Sequence, residues 1–215
     1  MQEIKPVRVF FQKINKACCF SHLDLNRAVA RMLMRSALPV YFTEGFNPHA
    51  KVVFAVPLAI FQQSVYEIFD FALSEDVPYD EAFDSLSASS VPDLPIIRTA
   101  QPVRKLGDCR YGSYSITFDT DADPQSIRAL FSGAVTVLKK TKKTCTETDI
   151  SPQIKKLSVR ESNGQTEVEC VLDAAANLYL NPQYIVDHIT KNVPHTERPL
   201  ITRTGLYCED MTLMI

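Results

Sequence analysis

The fold is decided by two neighbouring stretches, VRVFFQK at residues 7–13 and HLDLNRAVARMLMRSA at residues 22–37. The first is rich in β-branched and aromatic residues and predicts a strand. The second has apolar residues at helical spacing and predicts an amphipathic helix. Its apolar face carries Leu23, Val29, Leu33 and Ala37. Ser21 precedes the helix and has an aspartate three residues on, which is a capping-box variant.

The same order of elements follows twice along the chain. In the first half we predict further strands at 40–46 (VYFTEGF), 51–60 (KVVFAVPLAI), 66–73 (YEIFDFAL) and 95–103 (PIIRTAQPV), with a helix at 78–90. In the second half we predict strands at 114–119, 135–143, 154–162, 165–174 and 201–207, with helices at 123–133 and 181–192. We interpret both halves as the split βαβ order, β-α-β-β-α-β, although each half has three rather than two predicted strands between its helices.

Turn and cap signals support the second half of this assignment. Asp123 and Asn181 are each followed by a proline, as expected for an N-cap with proline at the first helical position. Asn163-Gly164 is a strong hairpin signal between two strands. We therefore predict an α+β fold of two tandem ferredoxin-like (βαββαβ) modules with antiparallel sheets, the first at residues 1–104 and the second at residues 105–215.

Charge is balanced overall but unevenly distributed. The net charge is −2, yet residues 1–60 carry +5, residues 61–100 carry −7, residues 101–160 carry +5 and residues 161–215 carry −5. Such blocks either form opposed basic and acidic faces or are solvated charge on unrelated faces. No run approaches 18 apolar residues and the first residues lack the apolar core of a signal peptide. We expect a cytoplasmic protein without a membrane segment.

The six cysteines do not form a metal-binding pattern. They stand at positions 18, 19, 109, 145, 170 and 208. An adjacent pair cannot chelate a metal in the usual CxxC loop, and the other spacings fit no zinc signature. We expect reduced thiols, no metal and no cofactor.

A family resemblance rests on several short motifs. They are FSHLDL at residues 20–25, Leu38-Pro39, EGFNPH at 44–49, Lys51, and FAVPL at 54–58. Weaker likeness continues at Tyr66–Asp70, Asn181-Pro182 and Arg203–Leu206. These motifs resemble the radical-SAM-linked protein family, a domain of unknown function encoded beside or fused to a radical SAM protein. The resemblance implies a radical SAM partner that supplies the chemistry. This chain lacks the CxxxCxxC cluster loop that such an enzyme needs.

The same motifs contain the candidate site. We predict a binding surface formed by the start of the first helix and the loop at 44–51, whose residues are His22, Asp24, Arg27, Arg31, Glu44, Asn47, His49 and Lys51. Phosphate binding fits this set best, since cations and a helix start attract anions. The alternatives are acid–base catalysis by His22 and His49, a metal site, or residues that only cap and brace a tight loop. No catalytic residue and no metal ligand is assigned.

A second basic cluster lies in the other half. It comprises Lys139, Lys140, Lys142 and Lys143, with Arg104, Lys105 and Arg110 upstream. The cluster is either a solvated strand edge or part of a basic stripe for an RNA backbone. Tyr111 and Tyr114 either stack on bases or belong to the core. We therefore expect an accessory recognition protein for RNA or a phosphate-bearing substrate. The rivals are a histidine-dependent enzyme for RNA cleavage or group transfer, and a protein-interaction scaffold.

Overall fold

The computed structural model describes residues 4–140 and 145–215, and only the backbone of Lys140 and Cys145. These residues form ten strands and four α-helices, a mixed α/β fold. They divide into two compact units. The first unit is Met1–Cys109 together with Thr212–Ile215, and the second unit is Arg110–Met211. The predicted basic residues Lys142 and Lys143 lie outside the described residues.

The first unit alternates strands and helices as its sequence pattern predicts. Its elements are β1 (Lys5–Lys13), α1 (His22–Arg35), β2 (Val53–Phe54), β3 (Gln63–Leu73), α2 (Tyr79–Ser89) and β4 (Ile96–Ala100). The strands lie in the order β4-β1-β3-β2. Each neighbouring pair in this order is antiparallel. One face of the sheet packs on α1 and α2, because alternate residues of β1 and β3 are apolar and meet the apolar faces of both helices.

The second unit has the same strand order with a hairpin added. Its elements are β5 (Cys109–Asp119), α3 (Pro124–Ala129), β6 (Thr136–Lys140), β7 (Cys145–Asp149), β8 (Ile154–Ser162), β9 (Gln165–Asp173), α4 (Gln183–Asn192) and β10 (Glu197–Cys208). The main sheet runs β10-β5-β9-β8, and β6 pairs with β7 alone. The ladders β5–β9, β8–β9 and β6–β7 are antiparallel. Asn163 and Gly164 join β8 to β9 with φ angles of 52° and 75°, which confirms the predicted hairpin turn.

The segment 40–60 is less regular than predicted. The expected strand at 40–46 is wrong, because that stretch contributes only isolated bridges at Val40 and Phe42. Of the strand expected at 51–60, only Val53–Phe54 is a strand in the structure. Proline and glycine explain both results. Gly45 has a φ of +122°, and the prolines in this stretch have no N–H to donate to a ladder.

Helix α1 is rotated relative to the predicted apolar face. Val29 and Leu33 are buried, as expected, together with Leu25 and Met32. Leu23 is 58% exposed, so its place on the core face was wrong. The buried residues Leu25, Val29, Met32 and Leu33 have the i, i+4, i+7, i+8 spacing of one helical face, and Leu23, six residues before Val29, lies off that face. Within the described ranges, no helix is both long and apolar enough to cross a membrane.

Candidate functional site

Ser21 and Asp24 form the capping box at the start of α1. The Ser21 hydroxyl donates to Asp24 Oδ2 at 2.5 Å, the Ser21 N–H donates to the same oxygen at 3.2 Å, and the Asp24 N–H donates to Ser21 Oγ at 3.2 Å. The hydrogen bond from Ser21 holds the pKa of the Asp24 carboxyl below its ordinary value. The cap therefore occupies the polar atoms of Ser21 and one carboxylate oxygen of Asp24. The other oxygen lies 3.8 Å from Arg27 Nη1.

His22 lies at the exposed first turn of α1, against an aromatic cluster. Its ring meets Phe54 edge-on, with centroids 5.3 Å apart, and Phe54 in turn packs on Phe11 and Phe69. Its Nε2 lies 3.1 Å from Asn26 Nδ2, which is an amide donor. In this arrangement Nε2 accepts and the ring proton is on Nδ1. His22 is thus fixed in position, with one ring face and Nδ1 left for a ligand.

His49 closes the loop formed by residues 43–49, here called the EGFNPH loop. The Thr43 N–H donates to the His49 carbonyl at 3.0 Å, and the His49 N–H donates to Thr43 Oγ1 at 3.3 Å. The imidazole Nδ1 lies 3.0 Å from the Asn47 carbonyl oxygen, so it carries the proton and donates. Nε2 is then the acceptor nitrogen of the neutral ring, and it has no partner among the described residues. A backbone carbonyl on Nδ1 is a common way to orient an imidazole for ligand contact.

The tip of the EGFNPH loop projects an aromatic side chain into solvent. Phe46 is fully exposed, and all five residues from Glu44 to Pro48 are exposed. Gly45 supplies the positive φ that the turn requires, and Asn47 precedes a proline that restricts it to extended conformations. Phe46 has the largest exposed fraction, 112%, among the exposed apolar side chains of the described residues.

The remaining cations are exposed on α1 and after the loop. Arg27 forms an i,i+3 ion pair with Asp24, in which Nη1 and Oδ1 are 3.8 Å apart. Arg31 and Lys51 make no hydrogen bond or ion pair within residues 4–140 and 145–215. Both side chains are exposed. Glu44 and the Asn47 side chain are likewise exposed, with no partner among the described residues.

The predicted site residues form two sets of contacts. Asp24 and Arg27 are joined on α1, together with the His22–Asn26 pair. Asn47 and His49 are joined in the EGFNPH loop. Within the described residues, no hydrogen bond or ion pair connects one set to the other. A single pocket that contains His22, Arg27, Asn47, His49 and Lys51 therefore stays a prediction.

The structure also shows a basic cleft in the second unit that the sequence reasoning missed. It has a volume of about 620 Å³ and lies between α3 and β8. Three cations line it: Arg128, Lys155 and Lys156. Lys155 contacts Asp173 at 3.2 Å, while Arg128 and Lys156 have no partner in the part of the chain that the structure describes. In the sequence, the adjacent lysines Lys155 and Lys156 at the start of a predicted strand could have indicated this cleft.

The predicted lysine cluster is only partly described. Lys139 Nζ donates to Gln153 Oε1 at 2.9 Å, which places this lysine on β6 beside the turn before β8. Tyr114 is buried, with 1% of its surface exposed, so it belongs to the core and does not stack on bases. Its ring folds back over Gly112, where a Cβ would lie 3.0 Å from the Tyr114 hydroxyl. Tyr111 on the opposite face of β5 is half-buried.

The five cysteines whose side chains the structure describes lie in several parts of the fold. Cys18 and Cys19 lie near the surface, with their sulfurs 3.8 Å apart, and Cys109, Cys170 and Cys208 are buried; all five are thiols. Burial raises the pKa of Cys170 to about 12, which makes it unreactive. Among the described side chains, no three histidine, cysteine, aspartate or glutamate residues are grouped to hold a metal ion.

Sequence comparison identifies the family but not an activity. No curated protein matches the chain. Residues 6–182 match a family described as "Uncharacterized protein conserved in bacteria", DUF2344. The match includes the capping box, the EGFNPH loop and the basic cleft, and it extends over most of the chain. The protein therefore belongs to the DUF2344 family of uncharacterised bacterial proteins.

Proposed function

We propose that this protein is a recognition module that binds RNA or another phosphate-bearing substrate. The observation that carries the proposal is the basic cleft, which is lined by Arg128 and Lys156, two cations without a partner among the described residues. Gln125 also lines it, and its side-chain amide can donate to a phosphate oxygen. Phosphate contacts of this kind provide affinity without requiring a base-specific pocket.

The predicted site of the first unit extends this proposal. Arg31 and Lys51 are exposed cations without described partners. His22 and His49 each keep one ring nitrogen outside their internal hydrogen bonds. These groups suit recognition of a phosphate or of a base edge, so the first unit would contribute selectivity while the basic cleft contributes charge.

The accessory role is a proposal from the resemblance of the motifs to the radical-SAM-linked family. A radical SAM partner would supply the chemistry, and the exposed Phe46 provides an aromatic anchor of the kind that protein interfaces use. We place this activity in the cytoplasm, in keeping with the five free thiols among the described residues.

We further infer that each unit is a ferredoxin-like module. The strand order β4-β1-β3-β2 of the first unit and the order β10-β5-β9-β8 of the second are equivalent, with helices between corresponding strands. The β6–β7 hairpin is then an insertion after α3. Because unrelated functions occur on this fold, the inference supports the architecture and not the substrate.

Fluorescence anisotropy with a labelled single-stranded RNA tests the binding proposal. We expect salt-dependent binding, and a double variant Arg128→Gln/Lys156→Gln should weaken it at least roughly tenfold and reduce the salt slope by about two. The variant Lys51→Gln measures how much the first unit contributes to the affinity for RNA. The matched control is Lys191→Gln, an exposed lysine on α4 outside the basic cleft. Equal losses in the control and in the double variant, or binding without salt dependence, would contradict the proposal.

The second candidate is a histidine-dependent enzyme, favoured by the orientation of His49. Its Nδ1 is held by a carbonyl and its Nε2 is the acceptor, which is the arrangement of a general base. If this candidate is correct, RNA is cleaved or modified by the purified protein, and His49→Gln abolishes turnover while anisotropy shows unchanged binding. Products that persist in both His49→Gln and His22→Gln exclude it. A scaffold role would instead show partner capture that is lost in Phe46→Ala, without RNA binding.

A further inference from the structure

A second cavity, in the first unit, differs chemically from the basic cleft. It has a volume of about 230 Å³ and lies between α1 and residues 90–96. Its floor is apolar and formed by buried or half-buried side chains, among them Phe11, Phe20, Val29, Phe69 and Ile96. Drug-sized ligands need roughly 300–1,000 Å³. The cavity therefore suits a short apolar chain or a single ring, and its walls offer few polar groups to a nucleobase.

Two arginines stand at the edge of this cavity. They are Arg31 and Arg35, one helical turn apart on α1. Arg35 Nη2 donates to the Ser89 carbonyl at 2.7 Å, which leaves its other N–H groups available. Arg31 has no hydrogen bond or ion pair to any described residue, and no carboxylate lines the cavity. The protein thus places unneutralised guanidinium charge beside an apolar space.

This combination defines the ligand by charge complementarity. An apolar tail gains free energy by leaving water for the aromatic floor. A carboxylate matches the planar fork of an arginine with two parallel hydrogen bonds. We propose that the cavity binds a free medium-chain carboxylate, with its tail against Phe11 and Phe69 and its carboxylate on Arg31, supported by Arg35. Arg31 is also a residue of the predicted site of the first unit, whereas the observation that carries the phosphate-binding proposal is the basic cleft of the second unit.

Titration calorimetry with the full chain and sodium octanoate, below its micelle concentration, tests the inference. We expect saturable binding of one octanoate per chain, and at least roughly tenfold weaker binding of butyrate, because each methylene left out removes buried apolar surface. Octanol should also bind more weakly than octanoate, since it lacks the charge that Arg31 recognises. Equal affinities for octanoate and octanol would overturn the assignment of Arg31.

Two variants separate the head and tail of the ligand. Arg31→Gln should weaken octanoate binding about tenfold, as expected for a lost charged hydrogen bond, and leave octanol unaffected. Ala28→Leu places a larger side chain in the cavity and should abolish both, with its circular dichroism and thermal midpoint checked against the parent. Lys16→Gln, an exposed cation of the same unit outside the cavity, is the control. No saturable binding by the parent chain, or equal loss in Lys16→Gln, would overturn the proposal, whatever the outcome with RNA.

Discussion

Each unit contains an arginine–carboxylate ion pair between neighbouring strands, and the two arginines differ in solvent exposure. In the first unit, Arg8 of β1 lies directly opposite Asp70 of β3 and is fully buried. In the second unit, Arg160 of β8 lies directly opposite Glu167 of β9 and is 56% exposed. Both arginines make two hydrogen bonds to the facing carboxylate. The cross-strand position is therefore the same in both pairs. They differ in that the Arg160 guanidinium is exposed and donates to a second carboxylate, Glu169, at 2.8 Å.

The buried pair is completed by main-chain groups. Arg8 Nη1 donates to the Ile215 carbonyl at 2.9 Å, and Nη2 donates to the Arg104 carbonyl at 2.7 Å. A buried guanidinium is tolerated only when its donors are satisfied. The Arg8 site therefore fixes two distant segments, near residues 104 and 215, on the sheet of the first unit. The Arg160 pair imposes no such requirement, because water can replace its partners.

Asp70→Asn is the strongest test of this difference. It removes the charge that Arg8 faces while it keeps the size of the side chain, so a buried cation is left without its carboxylate. We expect a loss of about 3–5 kcal/mol in the free energy of unfolding. Urea unfolding followed by circular dichroism measures it. Glu167→Gln in the second unit is the matched change, with an expected loss below about 1 kcal/mol. If both variants lose similar amounts of unfolding free energy, burial of the arginine does not determine how much the ion pair contributes to stability.

The helix caps provide a smaller test of the same contrast. The Ser21 side chain caps α1 through two hydrogen bonds to Asp24, whereas Asp123 caps α3 without a side-chain hydrogen bond. Ser21→Ala should cost about 1 kcal/mol of stability. Asp123→Ala should cost less than about 0.5 kcal/mol, the share of a charge near a helix end. Urea midpoints of the two variants decide this, and a larger loss at Asp123 would contradict the cap geometry.

Acid titration tests the exposed pair with the smallest expected effect. The hydrogen bond from Ser115, followed by the contacts with Arg160, holds the pKa of Glu167 below its ordinary value. A lowered carboxyl pKa adds stability that is complete above the ordinary value of about 4.3 and is lost as the pH falls through the folded-state pKa. Thermal midpoints between pH 6 and pH 3 should therefore fall slightly less in Glu167→Gln than in the parent. A steeper fall in the variant would contradict this assignment.

Local features of the fold were predictable from the sequence, and features made by distant residues were not. The cap at Ser21 and the turn at Asn163-Gly164 depend on neighbouring residues, so their patterns sufficed. The buried state of Arg8 depends on Asp70, 62 residues away, and a cation in a strand gives no sign of it. Segment 40–60 misled the prediction, because its apolar residues cover the core from loops and bridges.

The candidate site divides in the same way. The tautomer of His49 follows from contacts inside one short loop, and the EGFNPH motif identifies that loop in the sequence. The basic cleft joins α3 to β8, with the β6–β7 hairpin between them in sequence. Its cations are separated by 27 or 28 residues, so no short motif contains them. The cavity beside Arg31 was hidden for a related reason, since its floor combines β1, α1, β3 and residues 90–96.

The assignment of Thr212–Ile215 to the first unit affects the order in which the protein can mature during synthesis. A ribosome delivers the chain from its amino end, so the whole second unit emerges before these four residues do. Until then the Arg8 guanidinium lacks the Ile215 carbonyl, and the Tyr66 hydroxyl lacks the Met214 carbonyl to which it donates at 2.6 Å in the finished protein. The unit that is translated first is thus completed only after the second unit has been synthesised, when Thr212–Ile215 follow and supply the remaining acceptors for Arg8 and Tyr66.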